Sequence, residues 1–166
     1  MKLSSQEEYG LRCLLRVAQQ GERGSMTIPE VSEAVGISPH YAAKLMRILR
    51  RGGFVKSARG QVGGYTLARP SGEIAVGEVL AVLGGRLFDP LFCDDHAGVA
   101  QVCTRSIDCS IRSLWRAVQL VVDQVLSKAT IAELSGSEQA MTSKVSQLVS
   151  LAETKLPGLN PPAGRI

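Results

Sequence analysis

Three cysteines in the second half of the chain are the residues best suited to chemistry. Cys93, Cys103 and Cys109 are separated by nine and five residues, which differs from the paired C-x-x-C of a zinc ribbon. Three thiolates in a loop and at a helix start can hold an iron–sulfur cluster if a fourth ligand comes from elsewhere. Three alternatives stay open: buried structural cysteines, a zinc site completed by His96, or a redox-active thiol pair. Cys13 lies among leucines, so it is predicted to be a small core residue.

A second group of residues is basic. No acidic residue occurs between Glu33 and Glu73. The stretch between them contains seven cations: Lys44, Arg47, Arg50, Arg51, Lys56, Arg59 and Arg69. Such a stretch creates a positive surface that attracts a polyanion, although a solvated basic face without a partner would have the same composition.

The elements that must position these cations begin with two capped helices. The first is predicted to start at Ser4 or Ser5, with Glu7 or Glu8 completing a capping box. The second is predicted to start at Thr27 in the same way. Its buried stripe is predicted to be Val31, Ala34 and Val35.

A third helix is predicted from Pro39, behind the N-cap Ser38, to about Arg51. Only Gly36 and Ile37 separate it from the second helix, which is typical of a helix-turn-helix. One polar, basic face of this third helix consists of His40, Lys44, Arg47 and Arg51. A basic face on the second helix of such a pair suits insertion into the major groove of DNA.

A β-hairpin wing is predicted next. Phe54–Ala58 and Tyr65–Ala68 are typical of short strands, and the glycine-rich turn between them has Arg59 at its base. Gly63 and Gly64 permit a tight turn and close approach to a phosphate backbone or minor groove. Together, the helix-turn-helix, the wing and the basic stretch predict DNA binding.

The second half of the chain is predicted to contain a long helix after Cys109. Its heptad-like apolar seam consists of Ile111, Leu114, Trp115, Val118, Val121, Val122 and Val125. The other face carries Arg112, Arg116, Gln119 and Asp123. Because residues 1–70 already supply a core, a dimer interface is favoured over core packing, and a two-fold dimer would bind a palindromic DNA site.

The fold class is therefore predicted to be mainly α with a small β-hairpin wing, in three parts. Residues 1–72 form a winged helix-turn-helix domain, and residues 73–135 form the cysteine-bearing loop and the dimerisation helix. Residues 136–166 form a C-terminal helix and a tail predicted to be disordered. Shorter predictions are a helix over Ile74–Leu83, a turn at IAELSGS and a helix over Gln139–Leu151.

Composition excludes several classes of protein. The chain has 166 residues, a net charge of +4 and 45% hydrophobic residues, which suits one domain with an appended arm. No apolar run reaches about 18 residues and the first residues lack a secretory apolar block, so a cytoplasmic protein with reduced thiols is expected. Only two histidines and no nucleotide-binding glycine fingerprint argue against an enzyme.

Four segments resemble the Rrf2 family of bacterial winged-helix transcription regulators, in its IscR-, NsrR- and RirA-like forms. They are KLSSQEEYGLRCLLRVA, ISPHYAAKLMRILRRGGFVKSARGQVGGYTLARP, IAVGEVL and C-x5-C-S-I-R-S-L-W-R, within about residues 1–135. The resemblance implies a homodimeric repressor or activator of transcription that holds a two-iron or four-iron cluster through Cys93, Cys103 and Cys109. It also implies that Ser38, His40, Tyr41 and Lys44 face bases or phosphates, with Arg59, Gly63, Gly64 and Tyr65 of the wing beside them.

The resemblance also bears on the fourth cluster ligand. The histidine that serves IscR-like proteins is replaced here by Arg112, whereas Glu8 stands where NsrR-like proteins supply an acidic ligand from the other subunit. An alternative role for Glu8 is to complete the capping box of Ser5. The acidic residue that tunes base choice in IscR-like proteins corresponds to Ala43, so the operator sequence does not carry over.

The resulting hypothesis is a regulator that senses redox, nitric oxide or iron status through the cluster. The alternative is a cluster-free family member. It would regulate transcription by direct thiol oxidation or by binding a partner protein or metabolite.

Overall fold

Capping side chains fix the starts of the first three helices in the computed structural model, which describes residues 3–21, 24–58, 63–86, 88 and 109–154. Helix α1 spans Ser5–Gln19, α2 spans Ile28–Val35 and α3 spans Pro39–Arg51. Reciprocal capping boxes join Ser4 to Glu7 and Thr27 to Glu30, as the sequence predicts.

Helices α2 and α3 form the predicted helix-turn-helix. Gly36 ends α2 at a φ of 73°, a left-handed conformation that glycine adopts without strain. The Ser32 hydroxyl donates to the Ile37 carbonyl oxygen at 2.6 Å, which closes the turn and explains why this serine is buried. Ala34 is exposed, so its predicted place in the buried stripe of α2 is wrong. The short turn orients α2 so that Val31 and Ser32 face the core instead.

The wing is a two-stranded antiparallel hairpin. Strand β1 spans Val55–Ala58 and β2 spans Gly64–Leu67, each within one residue of its predicted start. The register pairs Val55 with Leu67 and Ala58 with Gly64. Backbone hydrogen bonds of 3.0 and 2.7 Å between Met26 and Tyr65 attach β2 to the segment before α2. The wing is thereby tied to the segment that leads into the helix-turn-helix.

The hydrophobic core extends beyond the wing. A short 3₁₀ turn over Ser71–Glu73 leads to α4, which spans Val76–Gly84 and packs on α1 and α3. Ile74, Val79 and Leu83 of this region are at most 2% exposed and belong to the same buried cluster as Leu14 and Leu45. The division of the chain at residue 72 stays a prediction, and the core includes residues on both sides of it.

Three further helices complete the described chain: α5 spans Ser110–Leu126, α6 spans Ile131–Leu134 and α7 spans Glu138–Thr154. The predicted turn at IAELSGS is wrong, because Thr130 and Glu133 form a capping box that starts α6. Ile131 is fully buried and its amide donates to the Ile74 carbonyl oxygen at 3.0 Å, so tertiary packing stabilises this single turn. No helix in the described ranges has the length and apolar character needed to cross a bilayer.

Candidate nucleic-acid interface and thiol site

The basic face of α3 is presented to solvent. His40, Lys44, Arg47 and Arg51 are all exposed. Within the residues that the structure describes, none of them forms an ion pair. Buried Leu45 and Leu49 lie on the opposite side of the helix, which fixes the direction of the basic face. An exposed row of cations without internal counterions is available to phosphates.

The start of α3 is held by a cap and by an aromatic contact. The Ser38 side-chain oxygen accepts from the Tyr41 amide at 3.2 Å, which leaves its own hydroxyl proton available to an external acceptor. Tyr41 is half-buried, and its ring lies edge-on to that of Tyr9 with centroids 6.2 Å apart. The Lys44 ammonium lies 5.9 Å from the Tyr41 ring centroid. Packing therefore orders both residues at the N-terminal end of α3.

The glycines of the wing have an internal role. A Cβ at Gly64 would lie 3.0 Å from the Met26 carbonyl carbon and oxygen, so this glycine permits the contact between β2 and the segment before α2. Gly63 and Tyr65 are half-buried, and Lys56 is exposed on β1. Arg59, predicted at the base of the turn, lies outside the described residues.

One cation of the basic stretch is used inside the protein, which the sequence prediction missed. Arg69 forms an ion pair with Glu78 and donates to the Glu73 carbonyl oxygen at 3.1 Å. Its guanidinium carbon lies 5.7 Å from the Phe54 ring centroid. Arg69 thus connects the end of the wing to α4 rather than offering a free charge. Glu78, nine residues later in the sequence, is the acidic residue that could have indicated this ion pair.

Of the three clustered cysteines, the structure describes one. Cys109 is half-buried at the N-cap of α5, where its Sγ accepts from the Arg112 amide at 3.4 Å. The Sγ atom therefore lies beside the backbone amides at the start of α5. Cys93, Cys103 and His96 lie outside the described residues. Among the described residues no cluster of three metal-binding side chains occurs, and these residues contain only one of the three candidate thiols.

Glu8 is not a capping residue. Glu7 completes the capping box of Ser4, so the alternative role of Glu8 as the partner of Ser5 is wrong. The Glu8 carboxylate instead pairs with the Arg12 guanidinium at 2.6 Å and remains 45% exposed. Gln6 donates to the Leu83 carbonyl oxygen, which places the start of α1 beside the end of α4, where the chain leaves toward the cysteines.

Cys13 behaves as the sequence predicts. It is completely buried in the core, and burial raises the pKa of its thiol to about 12. The thiol therefore stays protonated and is unsuited to metal binding or oxidation.

The long helix α5 exposes its apolar seam and buries part of its polar face. Ile111 and Leu114 are 59% and 58% exposed, and Trp115 is 40% exposed. Gln119, predicted on the opposite polar face, is only 7% exposed. The single chain thus leaves uncovered the face that would normally be buried.

Known proteins are similar in sequence to this chain over most of its length. A family model described as "Rrf2: Iron-dependent Transcriptional regulator" matches residues 3–137. The chain is 34% identical over 134 residues to Protein rrf2 of Nitratidesulfovibrio vulgaris, covering 81% of this chain and 87% of that protein. It is 33% identical over 141 residues to the HTH-type transcriptional regulator IscR of Cronobacter sakazakii, covering 85% and 84% of the two chains.

Solved structures share the fold. IscR of T. potens superposes with a TM-score of 0.63 at 30% identity, covering 81% of this chain and 85% of that one. CymR (YrzC), the global cysteine regulator of B. subtilis, superposes with a TM-score of 0.62 at 28% identity, covering 81% and 96%. These matches confirm the predicted winged-helix architecture. The relatives include both IscR and CymR, a global cysteine regulator.

Proposed function

The chain belongs to the Rrf2 family of DNA-binding transcriptional regulators, and from that premise we propose that it is a dimeric repressor that senses redox, nitric oxide or iron status through an iron–sulfur cluster. The observation that carries the proposal is the exposed basic face of α3, which has no ion pair among the described residues. Phosphates of double-stranded DNA complement such a face, and its helix has the dimensions of the major groove.

The DNA-binding surface combines α3 with the wing. On α3 and its N-cap we assign Ser38, His40, Tyr41, Lys44, Arg47 and Arg51. On the wing we assign Arg59, Gly63, Gly64 and Tyr65. Two sets of backbone hydrogen bonds support this combination: those between Met26 and Tyr65 attach the wing to the segment before α2, and the Phe54 amide donates to the Leu49 carbonyl oxygen of α3 at 3.0 Å.

A second copy of the chain would cover the apolar face of α5. Exposed Ile111, Leu114 and Trp115 form a continuous strip that water disfavours. A two-fold axis along this strip would present two α3 helices to one side of a duplex, which matches a palindromic operator.

The donor chemistry of the proposed metal site fits an iron–sulfur cluster. Cys93, Cys103 and Cys109 offer thiolates, and Glu8 of the partner subunit would be the fourth ligand. Cys109 supports the assignment because the hydrogen bond from the Arg112 amide holds its half-buried thiol at the N-cap of α5. Arg12 forms an ion pair with the Glu8 carboxylate, which remains partly exposed. When bound, the cluster supplies reversible electron transfer and reactivity toward oxygen or nitric oxide.

The second candidate is a cluster-free regulator that responds through its thiols or through a partner protein or metabolite. The similarity to CymR, a global cysteine regulator, favours it. The same half-buried Cys109 would then be the oxidisable thiol.

Anaerobic purification followed by visible absorption, iron and acid-labile sulfide assays distinguishes the two. Cys109→Ser is the sharpest variant, because serine is a good N-cap and preserves the start of α5 while removing the thiolate. Cys13→Ser is the matched control in a thiol that is buried and protonated. We expect a brown wild-type protein, loss of iron and sulfide in Cys109→Ser and retention in Cys13→Ser. A colourless wild-type protein that resists reconstitution would favour the second candidate.

A further inference from the structure

We propose that Gln119 is a positioning residue that fastens the start of the cysteine-bearing segment to α5, a role that rests on the proposed function of that segment. Gln119 lies in the middle of α5 and is only 7% exposed, although its helix exposes several large apolar side chains. A buried amide is costly unless its donor and its acceptor both find partners. The partners of Gln119 indicate what it does.

Both ends of the Gln119 amide are used. The Phe88 backbone N–H donates to Gln119 Oε1 at 2.8 Å, in a buried hydrogen bond. Gln119 Nε2 donates to Asp123 Oδ1, also at 2.8 Å, one turn further along α5. The second oxygen of Asp123 pairs with the Arg86 guanidinium. We call these four residues the Gln119 clamp.

The clamp acts at one end of a segment that is attached to α5 at both ends. Phe88 precedes Cys93 by five residues, and Cys109 begins α5 itself. Gln119 lies ten positions after Cys109, which corresponds to about 15 Å along the helix axis. The cysteine-bearing segment thus begins against the middle of α5, where the clamp holds Phe88, and ends at the first turn of α5, at Cys109.

This attachment gives the segment a mechanical connection to α5. A change at the cysteines that moves Phe88 must either break the Phe88–Gln119 hydrogen bond or move α5 with it. The apolar face of α5 is the proposed contact between two copies, so the clamp would transmit a change at the thiols to the spacing of the two α3 helices. A ligand state shifts a conformational equilibrium only through such a differential contact.

Amide hydrogen exchange of the metal-free protein tests the fastening. Gln119→Leu keeps the side-chain size and the helix but removes both hydrogen bonds. We expect the Phe88 amide to exchange about tenfold faster, which corresponds to about 1.4 kcal/mol, while amides of α3 exchange as in the wild type. Gln124→Leu is the matched control, since Gln124 makes no side-chain hydrogen bond within the described residues. Asp123→Asn keeps an oxygen for Gln119 and should give a smaller increase.

The transmission is tested by the ratio of the DNA dissociation constants of the metal-free protein and the protein reconstituted with iron and sulfide. Gln119→Leu should bring this ratio about threefold to tenfold closer to one than in the wild type. Unchanged Phe88 exchange in Gln119→Leu, or a larger effect of Asp123→Asn, overturns the fastening. Faster exchange with an unchanged ratio overturns the transmission. A wild-type ratio of one refutes cluster sensing instead, and the exchange data then still decide the fastening.

Discussion

Arg47 lies on the exposed face of α3, so its replacement by alanine removes a cation without removing an ion pair among the described residues. Arginine and alanine are both good helix formers, and α3 is anchored by buried Leu45, Met46 and Leu49. Arg47→Ala should therefore fold like the wild type. Its effect on DNA binding then measures the phosphate contact alone.

The size of the effect follows from counterion release. Each neutralised phosphate contributes about 0.9 to the slope of log affinity against log salt concentration. Arg47→Ala should lower the slope by about 0.9 if one α3 helix binds the duplex, and by about 1.8 if two copies bind together. At about 0.1 M salt, with the value extrapolated to 1 M unchanged, these slopes correspond to affinities about 8-fold and about 60-fold weaker. The measurement therefore also counts the α3 helices on the DNA.

Fluorescence anisotropy of a labelled duplex of mixed sequence, between about 0.05 and 0.3 M salt, provides the slope. Lys128→Ala is the matched control, because Lys128 is exposed after the end of α5 and its removal changes the net charge equally. We expect Lys128→Ala to keep the wild-type slope. An unchanged slope in Arg47→Ala, or equal decreases in both variants, would refute the assignment of α3 to the DNA.

Three further predictions concern stability and thiol chemistry. Gly64→Ala would bring a Cβ to 3.0 Å from a backbone carbonyl, so we expect a loss of about 1–3 kcal/mol in urea denaturation, whereas Gly72→Ala, with nothing within 4 Å, should be neutral. The Lys144 ammonium lowers the pKa of Glu133 below its ordinary 4.5. The resulting stabilisation is complete above that pH and is lost as the pH falls through the folded-state pKa. Glu133→Gln should therefore have a lower free energy of unfolding than the wild type at neutral pH and the same free energy of unfolding in acid. Cys13, with its pKa raised to about 12, should resist alkylation by iodoacetamide at mildly alkaline pH until denaturant is added; modification in the native protein would contradict its burial.

Local chemistry made the first half of the fold predictable. The caps at Ser4, Thr27 and Ser38 act within four residues, and the structure contains all three. Glycines at Gly36 and Gly85 ended helices close to the predicted positions. Such signals depend on backbone geometry nearby rather than on the rest of the chain.

The features that sequence reasoning missed depend on contacts between distant residues. Gln119 fits the polar face of an amphipathic helix, and only the approach of Phe88 from 31 residues away makes it a buried hydrogen-bond acceptor. The sequence predicts Arg69 to be a free cation, whereas the folded chain pairs it with Glu78. Helix α6 was missed for a different reason: four residues are too few for a periodic pattern, although the capping box from Thr130 to Glu133 was readable.

The exposed seam of α5 also equips the protein with its own optical reporter. The chain contains one tryptophan, Trp115, and 40% of its surface is accessible on that seam. Indole emission shifts to shorter wavelength when the ring leaves water, so the unlabelled protein reports in its fluorescence whether the seam is covered. Dilution of the purified protein would move the emission to longer wavelength if a second copy covers the ring, without any label near the DNA-binding surface.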